Sequence, residues 1–147
     1  MRVESAHIKG YRLFEDETIS FDEATTIIVG RNNSGKTSFV ELFYKFFVAG
    51  KTAKFSVDDF SRKQRKALQE AAIMWQQSIG LSSERRKDGI ASSENKAINK
   101  LPEITLEIEF SYNDNELATP LADLILDLDP ERHDALLSCR YYIEKPQ

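Results

Sequence analysis

One cysteine, four prolines, two histidines and no apolar run near the roughly 18 residues of a membrane-crossing helix bound what this chain of 147 residues can be. The lone Cys139 excludes an intrachain disulfide and a cysteine-only zinc cage, and reads as a small buried apolar residue suited to a reducing compartment. His7 and His133 are far apart, and neither has a second ligand at metal spacing or a nucleophile partner, so neither suggests a metal centre or a triad. Met1 to Gly10 carries His7 and Lys9 where a secretion signal needs an unbroken apolar stretch, which makes the cytoplasm the expected compartment, with no membrane partner. Net positive charge is also missing: the formal charge is −4, from 20 Lys and Arg against 24 Asp and Glu. It is unevenly spread, with 8 basic against 9 acidic residues over 1–60, 9 against 4 over 61–100, and 3 against 11 over 101–147. Only the middle region is basic, a solvated face or a phosphate-facing patch for DNA.

What is present suits one domain: 41% hydrophobic and 30% charged residues, at a length that buries a sizeable core. Met1 to Ile8 and Thr18 to Phe21 alternate apolar with polar around the tip Glu15-Asp16-Glu17, which predicts an antiparallel hairpin. In "TTIIVG" the apolar residues Ile27, Ile28 and Val29 are consecutive, the pattern of a strand buried on both faces inside a sheet. From Gly35 the spacing turns helical, with Phe39, Val40, Phe43, Phe46 and Phe47 at three- and four-residue steps up to a stop at Gly50. So aromatic a helix is expected to pack between layers. Residues 61–79 form a second helix with Leu68, Ala72, Trp75 and Ile79 in one stripe and Arg62, Lys63, Arg65 and Lys66 at its start. Gly80 to Lys100 is Ser-, Asn- and Lys-rich and reads as a loop or frayed helix. "LPEITLEIEFSY" is an alternating strand with Ile104, Leu106, Ile108 and Phe110 on one face. Thr119-Pro120 caps a short helix over "LADLILDL", and "CRYYIEK" reads as a last strand.

Chemistry concentrates in "GRNNSGKT", residues 30–37, which satisfies the Walker A spacing G-x-x-x-x-G-K-[ST]. A loop of this length between strand and helix aims successive backbone N–H groups at one phosphate, and the helix N-terminus adds partial positive charge. Gly30 and Gly35 stand where a side chain would collide, and Lys36 reaches the β- and γ-phosphates as a point charge. The Thr37 hydroxyl can take one position on Mg²⁺, so ATP and Mg²⁺ are the expected cofactors.

The string also fits the narrower form G-x-N-x-S-G-K-[ST], with Asn32, Asn33 and Ser34 completing the cradle, and resembles the ATPase heads of the SMC, RecF and wider ABC-type group. The preceding "RVESAHIKGYRLFEDETISF" is similar to the opening of such heads. "NNSGKTS" and the later "DDFS", Asp58 to Ser61, resemble the OLD family of ATP-dependent endonucleases; the likeness covers residues 1 to about 61. It implies an α/β P-loop NTPase fold, an ABC-type N-terminal lobe with a mixed sheet and a helical insertion over about residues 60–100. It further implies Lys36 as phosphate ligand, Thr37 as magnesium ligand, Ser38 as an α-phosphate contact and Arg12 as a nucleotide-proximal residue. Many relatives carry Gly where this chain has Asn33, a position of positive φ that Asn tolerates.

Several parts of a hydrolytic machine are not legible. "LILDLD", with Asp127, is the nearest thing to a Walker B strand, but it lies in a helix-patterned segment without the following Glu. "LSSERR", residues 81–86, lacks the glycine pair of an ABC signature, and nothing singles out Gln64, Gln69, Gln76 or Gln77 as a metal-sensing glutamine. Asp58 and Asp59 could approach a metal, but acidic pairs beside a helix start serve more often as caps. The expectation is therefore the N-terminal portion of a larger ATPase, completed by a head-to-head homodimer or by a partner chain. It would bind nucleotide weakly alone and, in OLD-like members, be joined to a TOPRIM nuclease domain. The competing readings are a non-catalytic module that binds a partner or DNA through the Trp75 stripe and basic middle, and a P-loop enzyme of another family. A GTPase is disfavoured because no Asn-Lys-x-Asp string occurs.

Overall fold

In a computed structural model of the chain, residues 1–79, 101–113 and 133–143 are described. The expectations for residues 80–100, for Thr119-Pro120 and the helix after it, and for Asp127 lie outside the described residues.

Four strands, β1 (Arg2–Tyr11), β2 (Phe14–Ser20), β3 (Glu103–Ser111) and β4 (Asp134–Tyr142), pair antiparallel in the order β2-β1-β3-β4. The alternation of "EITLEIEF" decides which face is buried, because Ala6 pairs with Ile108 and Ile8 with Leu106, all four pointing to one side. On that side α1 (Lys36–Phe43) lays Phe39 and Leu42 onto Ala6, Ile8, Ile104 and Leu106, with Phe60 closing the core. Fully burying a side chain such as Leu42 or Ile8 is worth about 1.5–3 kcal/mol, so this contact anchors the helix. A π-helical turn, Tyr44–Ala49, continues α1, and short 3₁₀ turns at Gly50–Thr52 and Val57–Asp59 lead to α2 (Arg62–Ile79).

Four expectations need correction. The hairpin turns at Arg12-Leu13, since Tyr11 faces Phe14, and the acidic Glu15-Asp16-Glu17 runs within β2. Charges are at home on such an edge strand, and these find partners: Asp16 meets His7, and Glu15 accepts from the Ser61 hydroxyl and the Lys63 N–H. "TTIIVG" joins no strand; Ile27 and Val29 are 77% and 82% exposed, because an interior strand needs ladder neighbours and none of the described strands pairs with it. The helix after the loop is covered on one side only, with Val40, Tyr44, Phe47 and Val48 exposed. In α2, Ala71 is buried and Ala72 exposed, a rotation from the predicted stripe that brings Gln64 over Gly10.

Gly10 explains that close approach. It takes φ +76, and a Cβ there would lie 2.6 Å from the Glu103 carbonyl oxygen and overlap the Gln64 carboxamide. Its own carbonyl accepts from the Ser61 N–H at 2.8 Å, so the end of β1 is tied to the start of α2.

Candidate functional site

Residues 30–35 leave the exposed segment and turn into α1 through two left-handed positions, Asn33 at φ +65 and Gly35 at φ +95. Asn33 tolerates that conformation, as expected for its place in the motif. Gly35 is buried, and a Cβ on it would stand 3.1 Å from the Phe14 ring, so β2 packs directly on the loop's last glycine. A Cβ on Gly30 would come within 2.6 Å of the Ser34 hydroxyl. At Gly35 the left-handed φ and the Phe14 ring both favour glycine, while at Gly30 a side chain would press on the Ser34 side chain.

The Lys36 ammonium folds back over this turn. It donates to the carbonyls of Gly30 at 2.7 Å and Arg31 at 2.8 Å and lies 3.3 Å from the Ser34 hydroxyl. The Phe39 N–H bonds to the Gly35 carbonyl at 2.8 Å, which starts the helix, and no side chain caps α1 and no acid stands in its first turn. The positive end of the helix is left open for an anion. Beside it Phe14, Ile28, Ser34, Gly35, Lys36 and Phe39 line a recess of about 190 Å³. Asn32, Asn33, Ser34 and Thr37 are exposed and Ser38 half-buried, so the structure gathers Gly30 through Ser38 into one feature.

Arg12 lies on the other flank of α1. Its Nη1 and Nη2 donate to the Glu41 carboxylate at 2.5 and 2.7 Å, its Nε to Asp59 Oδ1 at 3.0 Å, and its Nη1 is 3.5 Å from the Ser38 hydroxyl. Lys45 completes the cluster 2.6 Å from Asp59. Glu41 most of all, against partial burial and with help from Asp59, raises the Arg12 guanidinium further above its ordinary value. Burial pushes the Asp59 carboxyl up, yet hydrogen bonds from Lys45, the Ser56 N–H and Arg12 together hold it below the usual carboxylate range. Asp59 also closes a capping box with Ser56, while exposed Asp58 lies 3.6 Å from Arg65. Asp59 takes the cap role and is paired with Arg12 and Lys45, while Asp58 makes only the exposed pair with Arg65. The sequence reading did not bring Glu41 and Lys45 into any site; their i,i+4 spacing was the one available signal.

His7 sits on the opposite, solvent face of the sheet, between Asp16 at 2.6 Å and Glu107 at 3.3 Å. The Asp16 hydrogen bond raises its pKa, against some desolvation and with help from Glu107. His133 is exposed.

A glycine-framed loop that opens an uncapped helix on an α/β scaffold, with a lysine clasped over its backbone, defines a P-loop nucleoside-triphosphatase fold. The chain belongs to the AAA ATPase domain family, whose model matches residues 1–139. It is 43% identical over 42 residues to the DNA replication and repair protein RecF of Geobacillus thermodenitrificans (strain NG80-2), a match covering 29% of this chain and 11% of that protein. Among solved structures, one from work on the structural biochemistry of ATP-driven dimerization and DNA-stimulated activation of SMC ATPases is similar in fold. Its TM-score is 0.50 at 16% identity, over 97% of this chain and 64% of the other. The fold is that of the N-terminal part of an SMC/RecF-like ABC-type ATPase head, and the chain spans less than two thirds of either relative.

Proposed function

We propose that residues 30–38 cradle the phosphates of ATP and that the chain is the ATP-binding lobe of a RecF/SMC-type ATPase. The observation that carries this reading is the Lys36 ammonium held on the Gly30 and Arg31 carbonyls beside the open N-terminus of α1. An ammonium so placed needs only to swing from two carbonyls to a β- or γ-phosphate, while the first-turn amides meet the anion's other oxygens.

Gly30 supports the fit, because a Cβ there would press on the Ser34 hydroxyl and come within 3.9 Å of the Lys36 ammonium. In this reading Asn32, Asn33, Ser34 and Gly35 form the loop, Lys36 binds phosphate and Ser38 meets the α-phosphate. The exposed Thr37 hydroxyl would give Mg²⁺ a protein ligand. Bound Mg²⁺ supplies charge neutralisation of the phosphates; this chain's own residues bind and orient them. Hydrolysis, head-to-head dimerisation and action on DNA belong to the complete protein in this proposal, as does the OLD-like coupling to a nuclease and to phage defence. The names of the RecF and SMC relatives support the link to DNA.

Calorimetric titration with Mg-ATP tests the reading. Wild type binds, and Lys36→Ala weakens binding by about tenfold or more, as expected for loss of a charge-assisted contact of 1.4 kcal/mol or above. Equal affinity in both proteins removes the proposal.

A further inference from the structure

The phosphate loop makes few bonds of its own: within it the Ser34 N–H reaches the Arg31 carbonyl at 3.3 Å, and Lys36 supplies the rest. Its attitude therefore follows that of α1. The apolar side of α1 is anchored on the sheet through Phe39 and Leu42, a contact that, being non-directional, leaves the helix some freedom of orientation. A polar brace on its flank removes that freedom. Arg12 leaves the β1–β2 turn at φ +48, its N–H fixed to the Asp59 carbonyl at 2.8 Å, and its guanidinium forks onto Glu41 while reaching Ser38, two residues after Lys36. Asp59, only 3% exposed, holds the inner side of Arg12 and is itself held by Lys45 and the Ser56 N–H at 2.9 Å.

We propose that Asp59 and Glu41 are positioning residues for nucleotide binding: they fix Arg12 against the first two turns of α1 and so set the direction in which the loop amides and Lys36 point. The inference rests on the ATP-cradle reading above. In it Arg12 acts from the flank of the helix, holding α1 in place for the residues that meet phosphate. A bidentate fork suits this role because it fixes two angles as well as a distance, which a lysine does not.

Charge and position predict opposite signs, which separates this role from simple electrostatics. Asp59→Asn or Glu41→Gln removes a negative charge near a site for a polyanion, so charge alone predicts tighter Mg-ATP binding. Positioning predicts binding weaker by about tenfold, the 1.4 kcal/mol scale of a misdirected charge-assisted contact. A merely structural role predicts a lower melting temperature with unchanged affinity at a temperature where each variant is folded. The assay is fluorescence titration with a ribose-labelled ATP and Mg²⁺ at low temperature, with circular dichroism to establish the folded fraction. Glu41 is part-exposed, so Glu41→Gln remains informative if Asp59→Asn does not fold. Arg12→Lys, which keeps charge but loses the fork, is expected to match Glu41→Gln. Unchanged or tighter binding in Glu41→Gln, with wild type binding and Lys36→Ala impaired, overturns the positioning role and leaves the cradle standing. Absence of binding by wild type overturns both.

Discussion

Replacing Gly10 by alanine tests whether the end of β1 is packed as tightly as its geometry indicates. At φ +76 an L-residue carries a left-handed penalty of about 1–2 kcal/mol. The new methyl also lies 2.6 Å from the Glu103 carbonyl oxygen, which belongs to the sheet backbone and cannot rotate away, and on the Gln64 carboxamide, which can. Overpacking of this kind costs about 1–3 kcal/mol, for a combined loss of about 3 kcal/mol. At about 2–4 °C per kcal/mol for a chain near this size, the melting temperature should fall by about 6–12 °C. Gly50→Ala isolates backbone strain: at φ +49 and ψ −127 an L-residue costs about 1–3 kcal/mol, but a Cβ there meets nothing within 4 Å. Adding Gln64→Ala to Gly10→Ala should recover a minor part, because the Glu103 carbonyl remains. Thermal unfolding followed by circular dichroism, with urea titration in parallel, reads all three. A loss below about 1 kcal/mol in Gly10→Ala would refute tight packing at the β1–α2 junction.

Two further outcomes follow from other parts of the molecule. His7 has a raised pKa, so its pairing with Asp16 and Glu107 contributes stability that is full below about pH 6.5, its unfolded value, and is lost as pH rises through the folded one. The gap in urea stability between wild type and His7→Gln should therefore be larger near about pH 5.5 than near about pH 9, and a gap independent of pH would contradict the pairing. Ile27→Ser and Val29→Ser, though they strike a run that reads as core, should change the chain's stability by less than about 0.5 kcal/mol, since both side chains are already in water; a loss of the size of a core truncation in urea titration would refute the exposed placement.

Periodicity was the dependable guide. The alternation from Glu103 to Phe110 names Ile104, Leu106 and Ile108 as the buried face of β3, though Thr105 on the other face is buried too, and the spacing of Phe39 and Phe43 marks the face that α1 lays on the sheet. The loop was legible for a different reason: Gly35 and Asn33 meet left-handed backbone positions, a demand set locally by the chain itself. What composition could not convey is which partners a segment will have. Ile27 to Val29 carry an interior strand's residues, but burial on two faces is a property of neighbours, and none of the described strands lies beside them. Likewise the resemblance points Arg12 toward the nucleotide, but its partner Asp59 appears only when the fold brings it there across 47 positions. The rotation of α2 was missed because Gln64, polar and unremarkable in sequence, is chosen by its fit over a bare glycine.

The segment from Thr25 to Val29 has a practical side. Its amides and carbonyls make no backbone hydrogen bond among the described residues, and Ile27 and Val29 stand largely in water. Such a bare ribbon, without proline or charge to blunt it, is a template for cross-strand adhesion between molecules. Colloidal behaviour at high concentration would thus hinge on five residues placed directly ahead of the phosphate loop, and a single lysine among them is the simplest gatekeeper.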